Sequence, residues 1–147
     1  MITIKGDYIT AKGGGAAKPN ELSGMSVLLA EDNAVNQMVA ISILTKLGVD
    51  VTVVDNGLKA IESLKNITYD LVLMDIEMPE MDGLTAASRI RADPKYNDLP
   101  ILALTTNALP EDREMSLKSG MNDHLTKPID PRKLHSALLQ WRRKGRV

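Results

Sequence analysis

The apolar residues of this chain fall into short uninterrupted blocks separated by helical periodicities. Val27-Leu28-Leu29-Ala30, Val51-Thr52-Val53-Val54, Leu71-Val72-Leu73-Met74 and Ile101-Leu102-Ala103-Leu104 lack the polar alternation of a half-solvated strand. They predict parallel strands covered on both faces. His124-Leu125-Thr126 predicts a short fifth strand. Between the blocks, apolar positions recur at helical spacing: Val35, Val39, Ile43 and Leu47, then Leu58, Ile61 and Leu64, then Leu84, Ala87 and Ile90, and last Leu134, Leu138 and Trp141. Asn33 and Asp82 stand where helix caps are wanted, and Gly48 stands where the first helix must stop. A further helix begins near Pro110, with acidic residues behind the proline and Gly120 at its end. Strict alternation of strand and helix implies an α/β fold, a five-stranded parallel sheet with right-handed crossovers and helices on both faces.

The start of the chain reads differently. Residues 11–24 (AKGGGAAKPNELSG) are rich in glycine and alanine and predict a linker. Ahead of it, Ile2–Lys5 and Tyr8–Thr10 flank Gly6-Asp7 and could pair as a hairpin. A lone hairpin is marginal in water, so the expectation for residues 1–24 is a frayed leader and linker, or a remnant of a preceding domain. The main domain is expected over 25–147. A chain of 147 residues, 44% hydrophobic and 25% charged, suits one packed core.

Charge and cysteine content narrow the function. Lys+Arg is 18 against Asp+Glu 19, which offers no basic excess for a nucleic acid. The cluster Arg142, Arg143, Lys144 and Arg146 reads as a solvated helix end. With no cysteine, thiolate metal sites and thiol nucleophiles are excluded. No apolar run reaches a membrane span and no signal peptide is visible, so a soluble, cytoplasmic chain is expected.

In parallel α/β sheets, ligands sit beyond the carboxyl ends of the strands. Glu31 and Asp32 follow the first strand, Asp75 the third, Thr105 the fourth and Lys127 the fifth. Neighbouring strands lie ~4.8 Å apart, so if the first and third are adjacent, Asp32 and Asp75 can touch one small cation. Clustered carboxylates repel one another unless a cation neutralises them. Mg²⁺ suits carboxylate and water ligands, whereas a site without His or Cys does not suit zinc. An ammonium, a hydroxyl and Mg²⁺ converging on a carboxylate describe a site for a tetrahedral dianion. The aspartate itself can be the nucleophile, forming an aspartyl phosphate.

The strings VLLAEDNAVNQ, LVLMDIEMPEMDG, ILALTTNA and GMNDHLTKPID resemble the receiver domain of bacterial two-component response regulators, above all the receivers attached to hybrid sensor histidine kinases. The resemblance covers about residues 25–143. It implies a flavodoxin-like sheet of order 2-1-3-4-5 and a phosphoryl acceptor at Asp75. It also implies Mg²⁺ bound by Asp32 and Asp75 with the backbone carbonyl of Glu77, and by Glu31 through water. Thr105 and Lys127 would complete the catalytic set by contacting the phosphoryl group. The donor would be a histidine kinase or a histidine phosphotransfer protein, and Lys127-Pro128 would be a cis peptide. Such a domain catalyses its own phosphorylation and dephosphorylation and serves as part of a kinase or phosphorelay; a homodimer remains open. Its output would be a protein-binding face around Ala108–Gly120 and His124.

Departures from the family pattern are His124, where an aromatic switch residue is usual, and Thr106, where Ala or Gly is commoner. Glu77 and Asn107 occupy positions that tune acyl-phosphate lifetime in the family. His135 reads as a surface residue, not a phosphodonor. Among rivals, a haloacid-dehalogenase-type phosphatase wants Asp-x-Asp after its first strand, but Asp75 follows the third and Glu77 takes the second place. A flavin carrier would have its phosphate repelled by Glu31 and Asp32. The alternative of a docking-only pseudo-receiver would be expected to lack the acceptor Asp or the Lys, and both are present.

Overall fold

A computed structural model describes residues 2–5 (backbone only), 8–13, 21–106 and 109–142. The Gly6-Asp7 turn, residues 14–20, Asn107, Ala108 and the basic residues beyond Arg142 lie outside the described residues. The elements are β1 (Ile2–Lys5), β2 (Tyr8–Ala11), β3 (Ser26–Ala30), α1 (Ala34–Lys46), β4 (Asp50–Val54), α2 (Gly57–Asn66), β5 (Leu71–Asp75), α3 (Gly83–Arg91), β6 (Ile101–Thr105), α4 (Pro110–Lys118), β7 (Asp123–Thr126) and α5 (Pro131–Trp141). Each uninterrupted apolar block is a strand. Every residue of β5 and β6 is buried, as a two-sided covering requires. Side chains of Asn33, Asn56, Asp82 and Asp130 accept a backbone N–H in the first turn of α1, α2, α3 and α5, supplying donors' partners that those helices leave open.

The parallel strands run β4-β3-β5-β6-β7, which is the expected order, but the sheet has seven strands, not five. The two extra strands are the chain's beginning, for which a frayed leader was the expectation. β1 pairs antiparallel with β2, and β2 pairs antiparallel with β4 through Ile9↔Val53, Thr10↔Thr52 and Ala11↔Val51. A hairpin is marginal only when it stands alone, and β4 supplies the missing partner. Ala11 and Leu22 are buried in the main core cluster, and Gly13 N donates to Asp50 Oδ1 at 2.8 Å. Gly13 has no room for a side chain: a Cβ there would stand 2.2 Å from the Gly48 carbonyl carbon.

The sheet divides the core in two. On one face α1 and α5 bury Ala40, Ile41, Leu44, Leu134 and Leu138; on the other α2 and α3 bury Ala60, Leu64, Ala86, Ala87 and Ile90. The face that α1 turns inward differs from the predicted stripe. Val35 and Val39 are exposed, and the buried positions are Gln37, Ala40, Ile41 and Leu44. The reason lies in the helix sequence AVNQMVAISILTK, which is apolar on nearly every side, so periodicity alone cannot choose its inner face.

The start of β7, and with it the placement of Lys127, is held by side chains. Asn122 Oδ1 accepts from Ile101 N and from the Arg91 guanidinium, whose Nε also donates to Gly120 O. Burial lowers the Arg91 pKa, with the Asp98 charge opposing. Among the described residues no helix is long and apolar enough to cross a membrane.

Candidate functional site

The carboxyl ends of β3, β5, β6 and β7 open into a cleft of about 560 Å³. Glu31, Asp32, Asp75, Glu77, Thr105 and Lys127 all line it, so the six residues singled out from the sequence are brought together. Thr106 and Asn33 line it too. Adjacency of β3 and β5 places Ala30 beside Met74, so Glu31 and Asp32, which follow β3, come to Asp75, the last residue of β5. Oxygens of Glu31, Asp32 and Asp75 lie within 4.8 Å of one another.

Glu31 and Asp75 are buried, whereas Asp32 is exposed at the mouth of the cleft. Lys127 reaches inward from the edge strand: its Nζ lies 2.6 Å from Asp75 Oδ2 and 2.7 Å from Glu31 Oε1. Burial works against this ammonium and acts to lower its pKa. The hydrogen bonds and charges of Asp75 and Glu31 outweigh that, leaving the pKa above the ordinary lysine value. The Lys127–Pro128 peptide is cis and Lys127 N donates to Thr105 O at 2.7 Å, which ties the end of β7 to the end of β6.

The remaining contacts aim the carboxylates. Glu77 is exposed on the cleft wall and its backbone N donates to Asp75 Oδ1 at 3.0 Å. Gly83 opens α3 directly beneath Asp75, where a Cβ would stand 2.1 Å from the Asp75 carbonyl oxygen. Glu31 Oε2 accepts from Asn33 N at 3.0 Å, Glu31 N donates to Val54 O, and Glu31 O accepts from Gln37 Nε2 at 2.6 Å. Gln37 was not among the residues singled out from the sequence, because α1 is apolar on most sides and the residue's acceptor is a backbone carbonyl.

The donor set suits a hard divalent cation. Three carboxylates against one ammonium leave two uncompensated negative charges, and all candidate ligand atoms are oxygens. An exposed Asp32 beside a buried Asp75 offers the one or two carboxylates that Mg²⁺ takes while keeping its waters.

His124 sits on β7 beside Ala103 of β6, two residues short of Thr105 and outside the cleft lining. Its Nδ1 is buried without a hydrogen bond, 3.8 Å from Asp123 Oδ1, while Asp123 Oδ2 accepts from Trp141 Nε1. His135 is exposed on α5.

This fold with this site defines the signalling receivers. The chain belongs to the response regulator receiver domain family, whose model matches residues 27–139. It is 40% identical over 118 residues to the sensor protein GacS of Pseudomonas syringae pv. syringae, a match covering 78% of this chain and 13% of that protein. It is 46% identical over 118 residues to the transcription factor SKN7 of Saccharomyces cerevisiae, covering 80% of this chain and 19% of that one. The chain thus spans less than one-fifth of the length of either curated relative. Among solved structures it is similar to the receiver domain of the Pseudomonas aeruginosa sensor histidine kinase PA1611, which holds a magnesium ion in its active-site cleft. That match has a TM-score of 0.76 and 44% identity over 81% of this chain and 98% of the other. It is also similar to the yeast receiver domain of Ssk1, solved in complex with the histidine phosphotransfer protein Ypd1. There the TM-score is 0.77 and the identity 31%, covering 83% of this chain and 91% of the other.

Proposed function

We propose that this receiver domain accepts a phosphoryl group on Asp75 from the phosphohistidine of a histidine kinase or a histidine phosphotransfer protein, with Mg²⁺ as cofactor. The observation that carries the reading is the charge arrangement: one ammonium, that of Lys127, lodged between Asp75 and Glu31 with Asp32 alongside. A carboxylate oxygen of Asp75 attacks phosphorus. The P–N bond breaks, its electron pair goes to the donor imidazole, and that ring takes a proton from water. Asp32, Asp75 and the Glu77 carbonyl would hold Mg²⁺, with Glu31 acting through water; the ion supplies charge neutralisation for the transferred oxygens. The Lys127 ammonium already lies on Asp75 and follows the charge onto the phosphoryl group as the carboxylate loses its own. The Thr105 hydroxyl, at the end of β6, turns to a phosphoryl oxygen, and its movement biases the face formed by β6, α4 and β7 toward a partner.

Similarity to the receivers of sensor kinases supports placing the domain within a hybrid kinase or phosphorelay. The donor must bring its histidine to the cleft mouth, and α1 offers it a landing surface. Asn33 and Asn36 line the cleft, while Val35, Met38 and Val39 expose apolar surface on the same first turns.

Intact mass after incubation with acetyl phosphate tests the acceptor. One added phosphoryl, dependent on Mg²⁺ and absent in Asp75→Asn, is the expected result. Full labelling of Asp75→Asn would move the acceptor elsewhere. No adduct on the parent, from acetyl phosphate or from a phosphorylated phosphotransfer protein, would favour a domain that only docks.

A further inference from the structure

We infer that Gln37 is a positioning residue for the acidic pair, fixing the peptide that joins Glu31 to Asp32. The inference rests on the Mg²⁺ reading above. Residues 31–33 belong to no helix or strand, and backbone bonds tie only their two ends, Glu31 N to Val54 O and Gln37 N to Asn33 O at 2.9 Å. Their geometry is set by individual ties. Glu31 N is anchored to Val54 O, and the Glu31 carboxylate is held at both oxygens, by Asn33 N and by Lys127 Nζ. Asn33 is tied to α1 through its carbonyl and its Oδ1, and between these ends the Glu31 carbonyl is the group that bears on Asp32. The orientation of this peptide plane sets the direction in which the next Cα projects its side chain.

Gln37 Nε2 donates to that carbonyl at 2.6 Å, in a buried setting. The side chain comes from the inward face of α1, among Ala40, Ile41 and Leu44, where an apolar residue would be the ordinary choice. A buried amide at such a position loses solvation and keeps its place through the bond it makes. Asp32 itself is exposed, and a side chain free to swing into solvent needs its backbone held if its oxygen is to stay near Glu31 and Asp75. Partners bonded directly to a metal ligand typically carry about 10- to 100-fold in affinity, and Gln37 acts one peptide further back, so an effect at the lower end is expected.

The test is a Mg²⁺ titration of the full chain followed by amide chemical shifts, on the parent, Gln37→Met, Gln37→Leu and Ser63→Ala. Met and Leu keep an apolar volume and lack the donor. Ser63→Ala removes a different buried hydrogen bond, Ser63 Oγ to Tyr69 OH at 2.7 Å, on the far side of the sheet. The Gln37 variants should bind Mg²⁺ up to about 10-fold more weakly, and by more than Ser63→Ala. Their phosphorylation from acetyl phosphate should return to the parent level at saturating Mg²⁺, and Ser63→Ala should keep parental affinity. Parental Mg²⁺ affinity in both Gln37 variants would overturn the inference while leaving the acceptor reading intact. Failure of both to fold would assign Gln37 to the fold instead of the site. A parent that binds no Mg²⁺ at millimolar concentration would remove the metal reading itself, and this inference with it.

Discussion

Without the Lys127 ammonium, Glu31 and Asp75, 1% and 4% exposed, would be buried carboxylates facing each other with no counter-charge. Removing one member of such a group is costly because the partners stay buried, on the order of 3 kcal/mol. Lys127→Met should therefore lose about that much stability in urea unfolding with a chelator present. Added Mg²⁺ should restore part of the loss, because the cluster then carries three negative charges for the ion to neutralise in place of two. Magnesium affinity should hold or rise, while phosphorylation slows for want of a donor to the phosphoryl oxygens. A variant that binds Mg²⁺ more weakly than the parent would mean that Lys127 positions the ligands, not that it competes with the ion for them.

At the scale of elements, α1 is where sequence and structure part company. Strands were legible because their apolar blocks are unbroken, and the acidic and basic residues were legible because each directly follows a block. α1 carried no such signal. Its buried face is Gln37, Ala40, Ile41 and Leu44, and the equally apolar Val35, Met38 and Val39 are left outside. Nor could Gln37 be read as a site residue, because its acceptor is a backbone carbonyl, which has no letter in the sequence. The exposed stripe nonetheless makes a prediction. If it is where a phosphodonor protein lands, Met38→Asp with Val39→Asp should slow transfer from a phosphotransfer protein by 10-fold or more, about 1.4 kcal/mol. Labelling by acetyl phosphate, which needs no landing surface, should be unchanged. An equal fall with both donors would place the effect in the cleft and not on the helix.

For the whole molecule, the question is whether the β1–β2 hairpin belongs to the working unit. The two strands were legible as a possible hairpin, but its place in the sheet was not, because its stability is non-local: β2 is held by β4, some forty residues further along the chain. The site lies on β3, β5, β6 and β7, and among the described residues none of the hairpin lines the cleft. A chain beginning at Glu21 keeps Leu22 in the core and the Glu21–Arg142 ion pair, and loses the β2–β4 ladder with the burial of Ala11. Loss of this packing should cost about 2 kcal/mol in denaturant unfolding. Phosphorylation from acetyl phosphate should stay within twofold of the parent rate. The second consequence is at the edge. With β2 gone, Asp50–Val54 becomes an open strand whose N–H and C=O groups are free to pair with another chain. Light scattering should then show stronger concentration-dependent self-association in the truncated chain than in the full one, whose edge on that side is the short strand β1. A truncated chain that folds and stays monomeric, yet no longer takes the phosphoryl group, would show instead that the hairpin acts on the cleft through β4 and β3, and is not merely a cover for the sheet's edge.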